Sequence, residues 1–190
     1  MIETRPVRPD EHRTVGDLTV AAYDAVGRVS DDYREALRDV AARQDDESLV
    51  LVAVEGPAVL GSLTVVSASS DHFEHGPHGD GGFRMLAVAP AAQGRGVGDA
   101  LVAAATDHAR RHGWRRLVIT TMEWMPTAQT MYEARGYQRR PDLDVRFGSG
   151  VGLCYQLDLV PDASAHFPAP GPVPDEPPLF VPVDQRPPGC

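Results

Sequence analysis

Leu86-Ala87-Val88-Ala89-Pro90-Ala91-Ala92-Gln93-Gly94-Arg95-Gly96-Val97-Gly98 decides how this chain is read. Its first residues end an apolar run, Phe83–Val88, that reads as a buried strand. Pro90 and three glycines then form a turn, and the turn opens a long helical pattern over Gly96 to His112. In that pattern Val97, Leu101, Ala105 and Ala109 share one face, and Gly113 stands where a helix-ending glycine belongs. The first N–H groups of a helix lack internal partners and sit at the positive end of its dipole. With glycines letting a ligand approach the backbone, the turn is a phosphate cradle. The glycines stand at 94, 96 and 98, which is not the Rossmann spacing, and there is no lysine to make a P-loop.

Working outward, the elements alternate. Ile2 to Val7 reads as a strand, and Asp10 as the cap of a helix carrying Val15, Leu18, Thr19, Ala22 and Tyr23. A second helix carries Tyr33, Leu37, Val40 and Ala41. Leu49–Val54 and Val59–Val66, split by Glu55-Gly56-Pro57, read as a hairpin. Asp71 to Gly82 reads as a solvated loop holding His72, His75 and His78. Leu117–Thr121 is a buried-type strand, and Pro126 to Arg135 a helix with Pro at its start and Gly136 past its end. Tyr137 and Leu153–Leu159 supply the last strands. The fold class is α/β.

Composition narrows the function. The chain has 190 residues, is 42% hydrophobic and 24% charged, and carries a net charge of −9. An acidic chain repels phosphate backbones, so nucleic acid is not the expected partner. All 18 basic residues are Arg, which removes Schiff-base lysine chemistry. No apolar run reaches membrane-span length and no signal-peptide pattern opens the chain, so a cytoplasmic location is expected and no membrane partner. Cys154 and Cys190 form no metal or disulfide pattern. The three histidines, at i, i+3, i+6 in a Gly/Pro-rich loop, fix no ligand geometry, so no metal is expected. Arg110, Arg111, Arg115 and Arg116 read as a solvated helix end, and Cys154 as a small core residue. Residues 161–190 hold 10 of the 17 prolines and read as an extended tail behind a domain over 1–160. Within it, Leu179-Phe180-Val181 suits docking as a strap on its own domain or on a dimer mate.

Gln93-x-x-Gly96-x-Gly98 after a Leu-Ala-Val strand resembles the acetyl-CoA signature of the GNAT superfamily of N-acetyltransferases, Q/R-x-x-G-x-G/A. Ala128-x-x-x-Tyr132-Glu133-x-x-Gly136-Tyr137 is similar to a second family segment, and the element order agrees over residues 1–160. The resemblance implies a mixed, mostly antiparallel central sheet flanked by helices, and acetyl transfer from acetyl-CoA to an amine of a small molecule or peptide. It implies that Leu86, Ala87 and Val88 hold the pantetheine arm, that Gln93 and the stretch Gly94, Arg95, Gly96, Val97, Gly98 and Asp99 hold the pyrophosphate, and that Tyr132 protonates the leaving thiolate.

Two positions depart from the family. Met125 stands seven residues before Tyr132, where the family often has Asn, and the strand Gly82-Phe83-Arg84-Met85 lacks the Glu that often serves as base. Glu123, His75 and His78 are the alternatives for that base. The Met125 departure keeps open a second reading, an acyl-CoA-binding sensor or interaction module without turnover. A third, a partner-binding protein working through its proline tail, ranks low, because Arg186 alone flanks the prolines.

Overall fold

The computed structural model describes residues 1–147, 150–167, 175–176 and 180–182. In chain order the elements are β1 (Glu3–Pro6), α1 (His12–Val26), β2 (Gly27–Val29), α2 (Asp31–Arg38), β3 (Ser48–Glu55), β4 (Ala58–Ser67), β5 (Gly81–Val88), α3 (Val97–Arg111), β6 (Arg116–Met122), α4 (Pro126–Ala134), β7 (Gln138–Arg139), β8 (Val145–Phe147), β9 (Gly150–Asp158), β10 (Asp175–Glu176) and β11 (Phe180–Pro182). The main sheet runs β1-β3-β4-β5-β6-β9-β8-β10, with β7 also on β9. β5–β6 and β8–β10 are parallel, and the other pairs are antiparallel. This is the mixed, mostly antiparallel sheet expected.

Strand alternation builds the layers. On β3, Leu51 and Ala53 join the α3 side, where Val97, Leu101 and Ala105 are buried. Val50, Val52 and Val54 face the other way, onto Val15 of α1. Full burial of each such Val or Leu contributes about 1.5–3 kcal/mol. Gly61 lets α3 settle on β4: a Cβ there would lie 2.9 Å from Val97 Cγ1 and 2.7 Å from the Ala87 carbonyl oxygen.

The centre of the sheet splits. Thr64 pairs with Arg84 and Ser62 with Ala87, so β5 has one residue more than β4 across that interval. The extra residue is a bulge at Met85, whose φ of 53° is in the left-handed region. A bulge bends and twists its strand, and β5 pairs with β6 only at Gly81↔Leu117. Beyond that pair the two strands diverge.

Several local expectations are corrected. Asp10 does not cap α1: Pro9–Glu11 form a 3-10 turn, and the Glu11 carboxylate accepts from Arg8 N at 2.9 Å and pairs with Arg5 at 2.6 Å. That pair holds the Glu11 carboxyl down to about 2. Arg116 is not a solvated helix end: it opens β6, is 3% exposed and pairs with Asp158 at 2.6 Å. The loop after Asp71 is not wholly solvated either, because His75 is buried and its Nε2 lies 3.0 Å from Thr120 Oγ1. Cys154 is fully buried, in the core as expected.

Packing continues past residue 160. Ala163 is buried, and the Phe167 ring stacks on the Arg116 guanidinium at 4.5 Å. β10 adds to β8, and β11 pairs antiparallel with β2, Phe180 opposite Val29. Leu179 of the expected strap lies outside the described residues. We propose that residues 161–190 strap the domain. Deleting them is expected to lower the melting temperature by about 2–8 °C, from a cation–π contact and a small buried surface. Unchanged melting, mass and turnover would make the tail a passive appendage.

Candidate functional site

The turn after β5 is shaped by two left-handed glycines. Gly94 and Gly96 have φ of 73° and 79°, conformations that glycine adopts without strain. Gly96 is the cap residue of α3. The first amide of α3 to find a partner is that of Ala100, which donates to the Gly96 carbonyl at 2.9 Å. Among the described residues, the amides of Gly94 through Asp99 donate to no acceptor outside this turn and helix. A Cβ on Gly94 or Gly96 would meet nothing within 4 Å, so the space above these amides is open. Asp99 would place a carboxylate beside a bound anion, but Arg135 Nε pairs with it at 2.5 Å and lowers its pKa.

Divergence of β5 from β6 opens a cleft of about 460 Å³. Leu86, Ala87 and Val88 form one wall, and Gln93, Gly94 and Gly96–Asp99 its floor. Trp124, Met125 and Met131 face them. On this side β5 has no strand partner beyond Gly81 among the described residues, so its backbone edge is available. Of the residues expected to hold a cofactor, Arg95 alone does not line the cleft; its guanidinium pairs with Glu55 at 2.7 Å.

A second cavity, about 160 Å³, adjoins the cleft and shares Tyr23, Leu86, Met125 and Ala128 with it. Tyr132 lines it. The Tyr132 ring is 4% exposed and packs against Phe83 and Tyr137, each at a centroid distance of 5.8 Å. Its hydroxyl makes no hydrogen bond among the described residues. Burial raises its pKa, with Tyr137 adding to the shift, so it stays a neutral donor. Near the junction, Gln129 Nε2 ties down the Met122 and Glu123 carbonyls, both at 3.0 Å, and so fixes the loop entering α4.

The other expected residues are dispersed. Glu123 is exposed, its Oε1 accepts from Val151 N at 3.1 Å, and it lines neither cavity. Burial holds the His75 pKa at about 4, and His75 reaches the second cavity only through Thr120. Met125 lines both spaces. Tyr23, Tyr33, Glu74 and Arg84 line the second cavity as well. Glu74 pairs with Arg84 at 3.0 Å and is the carboxylate in this cavity wall. No motif marks them, because they come from α1, α2, a loop and β5. Among the described residues no three His, Cys, Asp or Glu side chains could hold a metal ion, and no helix is long and apolar enough to cross a membrane.

The family model for the acetyltransferase (GNAT) family matches residues 15–137. No curated protein matches the chain. Among solved structures, yncA from Salmonella typhimurium, with its cofactor acetyl-CoA, is similar at a TM-score of 0.66 and 23% identity, over 90% of this chain and 98% of that one. A GCN5-related N-acetyltransferase from Kribbella flavida gives 0.62 and 20%, over 83% and 98%. The ribosomal-protein-S18-alanine N-acetyltransferase from Escherichia coli gives 0.61 and 14%, over 84% and 94%. At these identities the likenesses speak for the fold. The matched stretch contains the open amides, the β5 edge and Tyr132, and on that match the chain belongs to the GNAT acetyltransferase family.

Proposed function

We propose that the protein transfers the acetyl group of acetyl-CoA directly to a primary amine of a small molecule or peptide. The observation that carries this reading is the row of amides from Gly94 to Asp99 with no acceptor outside their own turn and helix, beside a free strand edge and a cavity lined by Tyr132. The amides take the pyrophosphate, each through a charge-assisted hydrogen bond. Leu86, Ala87 and Val88 hold the pantetheine arm by their backbone, as an added strand would be held.

Acetyl-CoA supplies an activated thioester. What remains for the chain is proton traffic. An alkyl amine has a pKa near about 10.4, so its ammonium must lose a proton before it attacks. Glu74, the carboxylate in the cavity wall, takes that proton through water, in place of Glu123, which lines neither cavity. As the new C–N bond forms and the C–S bond breaks, Tyr132 gives its proton to the departing sulfur. The phenol is a weaker acid than a thiol of pKa about 8.5, so Tyr132 keeps its proton until the thiolate departs and donates it as negative charge builds on the sulfur.

The test is a thiol-release assay with acetyl-CoA across a panel of amines. Release of CoA that depends on the amine is expected. Binding of acetyl-CoA with no release above hydrolysis for any amine would overturn transfer and favour a sensor without turnover.

A further inference from the structure

A third cavity, about 460 Å³, lies between α2 and strands β4 and β5, with Arg43, Thr64, Arg84 and Met85 in its wall. Tyr33, Arg84 and Met85 belong to both this cavity and the one holding Tyr132, so the two adjoin. Arg43 is 4% exposed, yet it forms no ion pair among the described residues. Its partners are neutral: the Leu37 carbonyl at 2.9 Å, Thr64 Oγ1 at 3.3 Å and the Met85 sulfur at 3.3 Å. Its Nε finds no hydrogen-bond partner, and neither does Nε of Arg84. Asp39 acts on Arg43 only at a distance and weakly.

A guanidinium taken out of water without a counter-charge is costly. Capping the last turn of α2 through Leu37 does not account for it, because a neutral donor makes that bond equally well. The cost is offset when a ligand brings the missing negative charge. Resting on the transfer proposed above, we infer that the acceptor carries a carboxylate as well as its amine, and that Arg43 recognises that carboxylate; Arg84 beside it is already paired with Glu74 at 3.0 Å. The carboxylate sits at the Met85 bulge, one cavity away from Tyr132, while the amine points to the thioester. Asp32, Glu35 and Asp39 stand on the outer wall and are exposed, so water screens them. They disfavour polyanions and leave a zwitterion acceptable. The acceptor class is therefore an amino acid or an amine of similar charge, with an apolar body to match Tyr23, Phe83 and Met122.

The test compares ligands that differ only in the carboxylate. N-acetyl-L-leucine and N-isoamylacetamide lack a titrating amine, so their binding in the presence of CoA reads the carboxylate alone. Thermal shift or calorimetry should show about 10–100-fold tighter binding of N-acetyl-L-leucine, the range for a hydrogen bond to a charged group. Arg43→Met should abolish that ratio while leaving CoA affinity unchanged. Should Arg43→Met not fold, Thr64→Val, which removes an acceptor that aims the guanidinium, should reduce the ratio. Equal binding of the two compounds to the wild type, or a ratio unchanged in Arg43→Met, overturns the inference. So does turnover that favours cadaverine over L-leucine and L-phenylalanine, which would make the acidic wall the selecting feature. Failure of CoA release with every amine counts against the transfer reaction, whereas the product-binding ratio decides the carboxylate site by itself.

Discussion

Tyr132→Phe is expected to lower the maximal turnover rate by about 10²–10⁴-fold, the usual worth of a general acid, with acetyl-CoA affinity nearly unchanged. The substitution keeps the ring, and therefore the packing against Phe83 and Tyr137, and removes only the hydroxyl. No described residue hydrogen-bonds that hydroxyl, so its loss orphans nothing and the fold should stay intact. The pH profile supplies an independent check. Burial raises the Tyr132 pKa above its ordinary value near about 10, so the proton stays in place through the alkaline range. The wild-type rate should therefore show no fall from tyrosine ionisation up to about pH 9.5. Turnover of Tyr132→Phe equal to wild type at saturating substrates, with chemistry limiting the rate, would assign the proton to water or another group.

Gly98→Trp should weaken acetyl-CoA binding by at least about 100-fold, through loss of two or more charge-assisted hydrogen bonds to the phosphates at about 1.5–3 kcal/mol each. Gly98 is the informative glycine. Gly96 has positive φ, so a side chain there strains the cap of α3 as well as blocking the cleft. Gly98 carries no such strain, and a Cβ would lie 3.4 Å from Met131 Sδ and 3.6 Å from Val88 Cγ2, on the floor of the cleft. An indole must then occupy the space between β5 and α4. Circular dichroism and melting confirm that the variant folds, and calorimetry reads the affinity. A folded Gly98→Trp that binds acetyl-CoA as wild type does would move the cofactor site elsewhere.

The proposed cofactor half of the site can be read from the sequence because it is made by one continuous piece of chain. Leu86 to Asp99 contains the strand edge, the left-handed glycines and the free amides, and each follows from local residue type. Tyr132 was legible for a similar reason: Pro126 and Gly136 bracket a short helix with a recognisable spacing. The proposed acceptor half cannot be read this way. Tyr23, Tyr33, Glu74 and Arg84 come from four elements, and no spacing along the chain records that they share a wall.

What the sequence determined by itself is what short-range physics controls: alternation on β3 and β4, the stripe of α3, the glycine cradle and the proline-rich tail. The tertiary structure decided where long side chains end. Glu123 reads as a candidate base in the sequence and Glu74 does not, yet Glu123 lies on the backbone of Val151 and Glu74 lines the cavity. Arg116 and Arg43 look like any surface arginine in the chain; one is buried against Asp158, the other without a counter-charge. The split between β5 and β6 also appears only in three dimensions. It depends on one extra residue at Met85 relative to β4, and register between strands is a property of the pair, not of either strand's sequence.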